Sequence, residues 1–475
     1  MTHGGIESGM EVQGKRILVV GLGKSGVAAA LFLEAHGARV TVSDAKTEEE
    51  LRSEIPALLD KGITVEAGGH GDRTFRDQDL IVISPGVPYE IAQLQQARSQ
   101  GVPVIGEVEL ASRFLKGHLV AITGSNGKTT TTALTGEVIS MGGYESLVGG
   151  NIGTPAISLV GESTDDTYNV LEISSFQLET IESFHPQIAV VLNVTPDHLD
   201  RHRSLQAYIS AKARIFENQS RDDYAVLNAD DPTCLRLADD CRAHTRFFSR
   251  KGELKHGAYV KEGKIYWREE ESGEQEIMPA GSIALKGTHN LENVLAAVCV
   301  GRLVNVEPHR IRRAVEEFKA VEHRLEFVAS IRGVDYYNDS KATNVDATTK
   351  ALESFPAGIH IILGGKDKGS DYSVLNPLLK SRAKRVYTIG AAAAKIESQI
   401  AGAAEIVHAE TLENAVRRAA EAATPGDVVL LAPACASFDQ FENYEHRGRI
   451  FKETVAALAA KSAGKTEPGV KGGAA

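Results

Sequence analysis

The sequence predicts an α/β protein of three domains: a Rossmann-like N-terminal domain, a central P-loop-type ATPase domain and a C-terminal Rossmann-like α/β domain. Three observations predict it. Short apolar runs recur between helix-length amphipathic stretches. Two of those runs end in glycine-rich strand-to-helix turns. At 475 residues the chain exceeds one ordinary domain, and about 150 residues per domain gives three.

The runs are RILVVGLG, LIVISPG, LVAITGSNG, IAVVLNVTPD, IHIILGGKD and DVVLLAPACAS. Gly, Pro, Asp and Asn bound them, the pattern of parallel strands buried on both faces. Several lead straight into polar clusters, and ligands of open α/β sheets lie beyond the carboxyl ends of the strands. The first domain spans residues 1–106. The second, 107–320, carries a polar, meandering insert around Arg250 to Met278. The third, 321–461, opens with the strand pattern EHRLEFV. Residues 462–475 are rich in Gly, Lys and Ala and are expected to be disordered.

Composition narrows the function classes. With 42% apolar and 24% charged residues the chain reads as soluble and globular. A formal charge of −11 argues against a general nucleic-acid or anionic-membrane binder. No run approaches the roughly 20 apolar residues of a membrane span. The start shows no basic region followed by an apolar one, so no signal peptide is expected. Cys234, Cys241, Cys299 and Cys435 lack metal-site spacing and fit a reducing compartment. A cytoplasmic location is expected.

The motifs sit where strands end. GLGKSG (Gly21, Gly23, Gly26) follows the first strand, and Asp44 ends the next. Such a turn lets backbone approach a diphosphate at a helix N-terminus. An NAD-dependent oxidoreductase is one reading, and calorimetric NAD binding would separate it from any other nucleotide. GSNGKTTT holds Gly124, Ser125, Asn126, Gly127, Lys128, Thr129 and Thr130. It departs from the strict phosphate-loop pattern at Ile122, where a glycine is usual. The expected chemistry is a backbone cradle for phosphates, with Lys128 on the terminal oxygens and Thr129 on Mg²⁺. Glu172, Asn151, Asp197 and His198 follow strands of the same block, and hard Mg²⁺ favours the oxygen donors among these acidic, amide and imidazole groups. Leu205, Tyr208, Ile209 and Phe216 form one helical stripe, and Lys212 falls on it. Read from pattern alone, Lys212 is a lysine snorkelling from the stripe's edge. In the last block Arg324, Asp339, Lys341, Thr343, Lys368, Ser437 and Phe438 follow apolar strands and suggest an anion site.

Together GSNGKTTT, GGNIGTP, EISSFQLE, NVTPDHLDRH, AKARIFEN, HRLE, NDSKATN, GGKDKG and PACASFDQF resemble the Mur ligases of peptidoglycan synthesis, from Arg16 to about Lys452. EISSFQLE and PACASFDQF look like the D-glutamate-adding branch, and the DNPR signature of the diamino-acid-adding branch is absent. The match is looser at Lys24-Ser25 and Asp44-Ala45-Lys46. The resemblance implies an ATP- and Mg²⁺-dependent acid–amino-acid ligase that phosphorylates a carboxylate and passes it to an amine. It implies UDP-N-acetylmuramoyl-L-alanine and D-glutamate as substrates, and neither nucleic acid nor membrane as partner. A monomer is expected. It turns the first glycine turn into a seat for a UDP-sugar, with Gly23, Lys24, Ser25, Asp44, Ser84, Pro85, Gly86 and Asn151 as substrate contacts. Lys128, Thr129, Glu172 and His198 take phosphate and metal roles, and Lys212 aligns with a lysine that similar enzymes carry as a carbamate. Asn290, Asn293, Arg324, Asp339 and Lys341 look like a nucleotide clamp, which domain closure would complete. Thr343, Lys368, Ser437 and Phe438 look like the D-glutamate pocket. Another amide ligase of the same superfamily would differ only in these pockets.

Overall fold

The structure, a computed structural model, describes residues 10–463 except 152, 271–272, 284, 286 and 320–321. Three sheets organise the chain. The first holds β1 (Arg16–Val20), β2 (Arg39–Ser43), β3 (Thr64–Glu66), β4 (Leu80–Ile83) and β5 (Val104–Gly106). All pair in parallel in the order β3-β2-β1-β4-β5. Ile17, Leu18, Val19 and Val20 are buried, as a central parallel strand requires. The order reverses between β1 and β4, which opens a crevice at their carboxyl ends. There the turn Gly21–Gly26 meets Ser84, whose hydroxyl donates to the Gly21 carbonyl at 2.7 Å.

The second sheet runs β14-β13-β12-β11-β10-β9-β6-β8-β7. Its strands are β6 (His118–Thr123), β7 (Ser146–Gly150), β8 (Tyr168–Glu172), β9 (Ile188–Val191), β10 (Tyr224–Asn228), β11 (His244–Ser249), β12 (Gly257–Lys261), β13 (Lys264–Glu269) and β14 (Gly273–Pro279). The strands from β7 across to β12 are parallel, while β12, β13 and β14 form an antiparallel meander. The expected insert is therefore a meander, but it continues the main sheet. The helix Lys128–Met141 follows β6.

The third sheet runs β15-β16-β20-β17-β18-β19, from β15 (Glu326–Ile331), β16 (Val334–Asn338), β17 (Ile359–Gly364), β18 (Ala383–Ile389), β19 (Glu405–Glu410) and β20 (Val428–Leu431). Only β15 pairs antiparallel. The three-domain α/β architecture expected from the sequence is what these sheets form. The boundary expected between 320 and 321 lies outside the described residues. So does most of the expected tail; the helix Tyr444–Ala463 runs past its start, and 464–475 are not described.

The contacts form two compact units. One comprises the described parts of Met1–Val194, Gln206–Ser282 and Glu292–Glu317, and so holds the first two sheets. The other comprises those of Thr195–Leu205, Ile283–Leu291 and Phe318–Ala475. Within the first unit the buried Glu109 carboxylate accepts the backbone N–H groups of Glu182, Ser183 and Phe184 and the Arg113 guanidinium, tying the start of the second domain down. Among the described residues no helix is long and apolar enough to cross a membrane, and all four cysteines are free thiols.

A Cβ on Gly26 would lie 1.8 Å from the Gly21 carbonyl oxygen and 2.6 Å from Ser84 Oγ. Backbone cannot yield as a side chain does, so Gly26→Ala is expected to cost at least about 3 kcal/mol. Thermal denaturation should show a midpoint several degrees lower. An unchanged midpoint would show that the turn relaxes freely.

Candidate active site

Register brings the polar ends of three strands side by side. Ile122 of β6 lies opposite Glu172 of β8 and Val190 of β9, so Thr123, Glu172 and Asn193 lie at one end of the sheet. The loop Gly124–Gly127 leaves β6 with Gly124 at φ +152° and Gly127 at φ +87°. Gly127 is required by contact as well as by φ: a Cβ there would lie 2.2 Å from Asn293 Oδ1. Asn193 braces the loop from below. Its Oδ1 accepts the Asn126 N–H at 2.9 Å, its Nδ2 donates to the Asn126 carbonyl at 3.0 Å, and its own carbonyl accepts the Ser125 N–H. Thr129 and Thr130, in the first turn of the following helix, are buried.

Lys128 Nζ donates to the carbonyls of Gly124 at 2.8 Å and Ser125 at 3.0 Å. Lys212 is 1% exposed. Its Nζ reaches the same Gly124 carbonyl at 2.8 Å and Thr123 Oγ1 at 3.4 Å, and it lies 4.6 Å from the centre of the Tyr208 ring. The snorkelling reading is thereby overturned: the nitrogen turns inward. The stripe is also shorter than expected. The α-helix covers Leu205–Ala213, Leu205 is 38% exposed, and Phe216 lies on a following 3₁₀ turn.

Glu172 is buried at the end of β8. Its Oε1 accepts from Asn151 Nδ2 at 2.8 Å, while its Oε2 is buried without a hydrogen-bond partner. An orphaned carboxylate oxygen is costly unless a cation or donor meets it. This donor set of hydroxyl and carboxylate oxygens fits a hard divalent cation.

His198 is carried differently. Although it follows β9, residues Thr195–Leu205 belong to the second unit. There Asp197 gathers its neighbours: Oδ2 accepts from Asn344 Nδ2 at 2.8 Å, and Oδ1 lies 3.4 Å from Lys368 Nζ. Asn290 also belongs to this unit, whereas Asn293 belongs to the first, and both are buried.

Loops after β16, β17 and β20 share one end of the third sheet. Asp339 is buried, with Oδ1 accepting the Leu325 N–H at 3.3 Å. Burial pushes its carboxyl up to about 6, against the opposing pull of Arg324 and Lys341. Lys341 Nζ lies 5.2 Å from the centre of the Tyr444 ring. Thr343 is half-buried, Ser437 is buried and Phe438 is 67% exposed. A bridge between Lys366 and Ala436 joins the second and third loops. The buried Arg447 guanidinium donates to the carbonyls of Ser340 and Cys435, holding the first and third together. Sequence reasoning missed Asn193, Asn344 and Arg447. The two asparagines lie in strand-end strings that could have signalled them; Arg447 lies in the terminal helix, where nothing distinguishes it from a surface arginine.

In the first sheet both Asp44 oxygens serve the turn: Oδ2 accepts the Leu22 N–H at 2.6 Å and Oδ1 the Lys46 N–H at 2.8 Å. That engagement braces the turn carrying Gly23, Lys24 and Ser25, with Ser84, Pro85 and Gly86 following the neighbouring strand β4.

Family models match along most of the chain. The Mur ligase MurD-like N-terminal domain matches residues 15–106, the Mur ligase middle domain 122–301, and the Mur ligase glutamate ligase domain 323–435. The chain belongs to the Mur ligase family. Like other Mur ligases it is an ATP-dependent amide-bond ligase. It is 67% identical over 450 residues to the UDP-N-acetylmuramoylalanine–D-glutamate ligase of Koribacter versatilis, covering 95% of this chain and 99% of that one. With the ligase of the same name from Acidobacterium capsulatum it shares 60% identity, over 94% and 97%. Among solved structures, the UDP-N-acetylmuramate–alanine ligase of Thermotoga maritima superimposes with a TM-score of 0.59 at 21% identity, covering 94% of this chain and 100% of that one. The MurF ligase of Thermotoga maritima in complex with ADP does so with 0.59 at 18% identity, covering 88% and 96%. Both share the fold.

Removing Asn193 takes two hydrogen bonds from the Asn126 backbone. Asn193→Ala is expected to raise the KM for ATP at least roughly tenfold, the equivalent of about 1.4 kcal/mol. Steady-state kinetics checks it, and an unchanged KM would show that the loop holds its shape without the asparagine. Asp339 gives a pH signature. Its folded pKa of about 6 exceeds the ordinary 3.8, so its contribution to stability is full below the unfolded value and is lost as pH rises through the folded one. Asp339→Asn should flatten that part of the stability profile in denaturant titrations between those two pH values; an unaltered slope would assign it to other groups.

Proposed function

We propose that the chain adds D-glutamate to UDP-N-acetylmuramoyl-L-alanine through an acyl phosphate, releasing ADP and phosphate. The observation that carries this reading is the 67% identity, over nearly the whole of both chains, to a relative named for that reaction. The glutamate ligase domain over 323–435 supports the amino acid. The three domains are taken as 1–106, 107–320 and 321–461, and the protein as a cytoplasmic monomer.

The residues divide the work by chemistry. Gly23, Lys24, Ser25, Asp44, Ser84, Pro85 and Gly86 seat the UDP end of the substrate, and Asn151 meets its sugar–alanyl end. ATP lies on Gly124 to Thr130, with its phosphates against the backbone N–H groups and Lys128. Asn290, Asn293, Arg324, Asp339 and Lys341 hold the rest of the nucleotide. Thr343, Lys368, Ser437 and Phe438 receive D-glutamate. The alanyl carboxylate attacks the γ-phosphorus in line, and the bond to ADP breaks. The amine of D-glutamate, having lost its proton, attacks the acyl carbon, the C–N bond forms and phosphate leaves. Catalysis is chiefly positioning and electrostatics.

Thr129, Glu172 and His198 would hold Mg²⁺, and the orphaned Glu172 oxygen supports this. Bound there, the ion would offset charge on the transferred phosphoryl group. Lys212 joins that set if its nitrogen carries a carbamate. Addition of the neutral amine to carbon dioxide, with its protons released to solvent, would place an anionic oxygen donor where the amine stands. Its burial against Gly124 and Thr123 supports this assignment.

Phosphate release tests the reaction. With UDP-N-acetylmuramoyl-L-alanine and ATP, D-glutamate alone among a panel of amino acids should support it, with ADP as coproduct. AMP and pyrophosphate, or another preferred amino acid, would overturn the proposal. Lys212→Ala should be nearly inactive and regain part of its rate with added short carboxylates. Full activity without rescue would remove the carbamate.

A further inference from the structure

The segment that carries His198 lies within the match to the middle domain, yet it packs with the glutamate ligase domain. Two side-chain ties fasten it there. Asn344 Nδ2 donates to Asp197 Oδ2 at 2.8 Å. Thr195 Oγ1 donates to Asp346 Oδ2 at 3.3 Å. Both partners belong to the start of the helix Val345–Glu353. Asn344 has no freedom to turn away, because its Oδ1 caps that helix by accepting the Ala347 N–H at 2.8 Å.

The segment itself is shaped against local preference. His198 has φ +53° and Arg203 φ +65°, left-handed values for residues with a Cβ, on either side of the short turn Leu199–His202. Such conformations persist where the surroundings over-determine them. Asp197 supplies much of that determination. Its Oδ1 accepts the His198 backbone N–H at 2.9 Å, and its Oδ2 lies 3.6 Å from His198 Nε2. The same carboxylate, only 9% exposed, lies 3.4 Å from Lys368 Nζ. One buried carboxylate therefore touches the backbone and ring of His198, the ammonium of Lys368 and a helix cap.

We propose that Asp197 is a positioning residue that orients Lys368 and His198 together, so that engagement of the amino acid's carboxylate by Lys368 is coupled to the placement of His198. This rests on the D-glutamate reading of the Lys368 loop. An ammonium has three donors. Asp197 takes one and thereby aims the others.

The test is a double-mutant cycle in the full-length enzyme. Asp197→Asn should raise the KM for D-glutamate roughly tenfold and lower kcat, with the KM values for ATP and the UDP-substrate within about twofold of wild type. Lys368→Met alone should raise the same KM, and the double variant should have a KM for D-glutamate no higher than that of Lys368→Met. Asn344→Ser keeps a good helix cap but removes the amide donor, and should reproduce a smaller shift of the same kind; it serves also if Asp197→Asn folds poorly. Multiplicative effects, a parallel rise of all three KM values, or wild-type kinetics in Asp197→Asn would each overturn the proposal. If the wild-type enzyme uses a different amino acid, the D-glutamate reading falls, and the same cycle run with that amino acid still decides the role of Asp197.

Discussion

Two ammonium groups converge on one carbonyl oxygen, that of Gly124, each at 2.8 Å. Much of the central domain serves to put that oxygen where both can reach it. β6 lies between β8 and β9, so its end is flanked by Glu172 on one side and the Asn193 brace on the other. Gly124 turns the chain through a backbone conformation that a side chain would resist. The helix that follows aims its N-terminus at the same region and adds partial positive charge.

The strands were legible because parallel strands buried on both faces leave unbroken apolar runs that end in Gly, Asp or Asn. Edges were less legible. β15 and the β12–β14 meander are antiparallel, with alternating or polar patterns that do not reveal which sheet they join. The glycine loops were legible because contact and φ leave few other residues possible at Gly26 and Gly127. Lys212 shows the limit of periodicity. The stripe placed it on the inner face, but the spacing of Cα atoms carries no information about where a four-carbon chain puts its nitrogen. Arg447 was missed for another reason: apart from Ser340 Oγ its partners are backbone carbonyls, which no side-chain pattern records.

The third sheet spends stability on geometry. Burial lowers the Arg447 guanidinium to about 10, and its partners are mostly carbonyl oxygens of loops 340 and 435–436. Apolar residues of similar volume would often pack there at no loss of stability. They could not hold two loops at a fixed separation. Asp339, raised by burial and pulled back by Arg324 and Lys341, is a second case. Both sit among the loops at one end of the third sheet.

The first two sheets belong to one compact unit, and Glu107 shows how the join reaches the site. It follows the last strand of the first sheet directly. Its carboxyl, buried and pushed up to about 7, accepts the Ile157 N–H at 2.8 Å. Ile157 lies just past the loop that begins at Asn151, whose amide in turn holds Glu172. A chain of contacts thus runs from the end of the first sheet to the carboxylate at the end of β8. A substrate fixed at its nucleotide end must present a carboxyl group to a phosphorus atom within a fraction of an ångström, and misplacement by about 1 Å can cost a hundredfold in rate. A rigid join between those two sheets meets that demand. Arg324, Lys341 and Lys368, by contrast, are carried on the other compact unit.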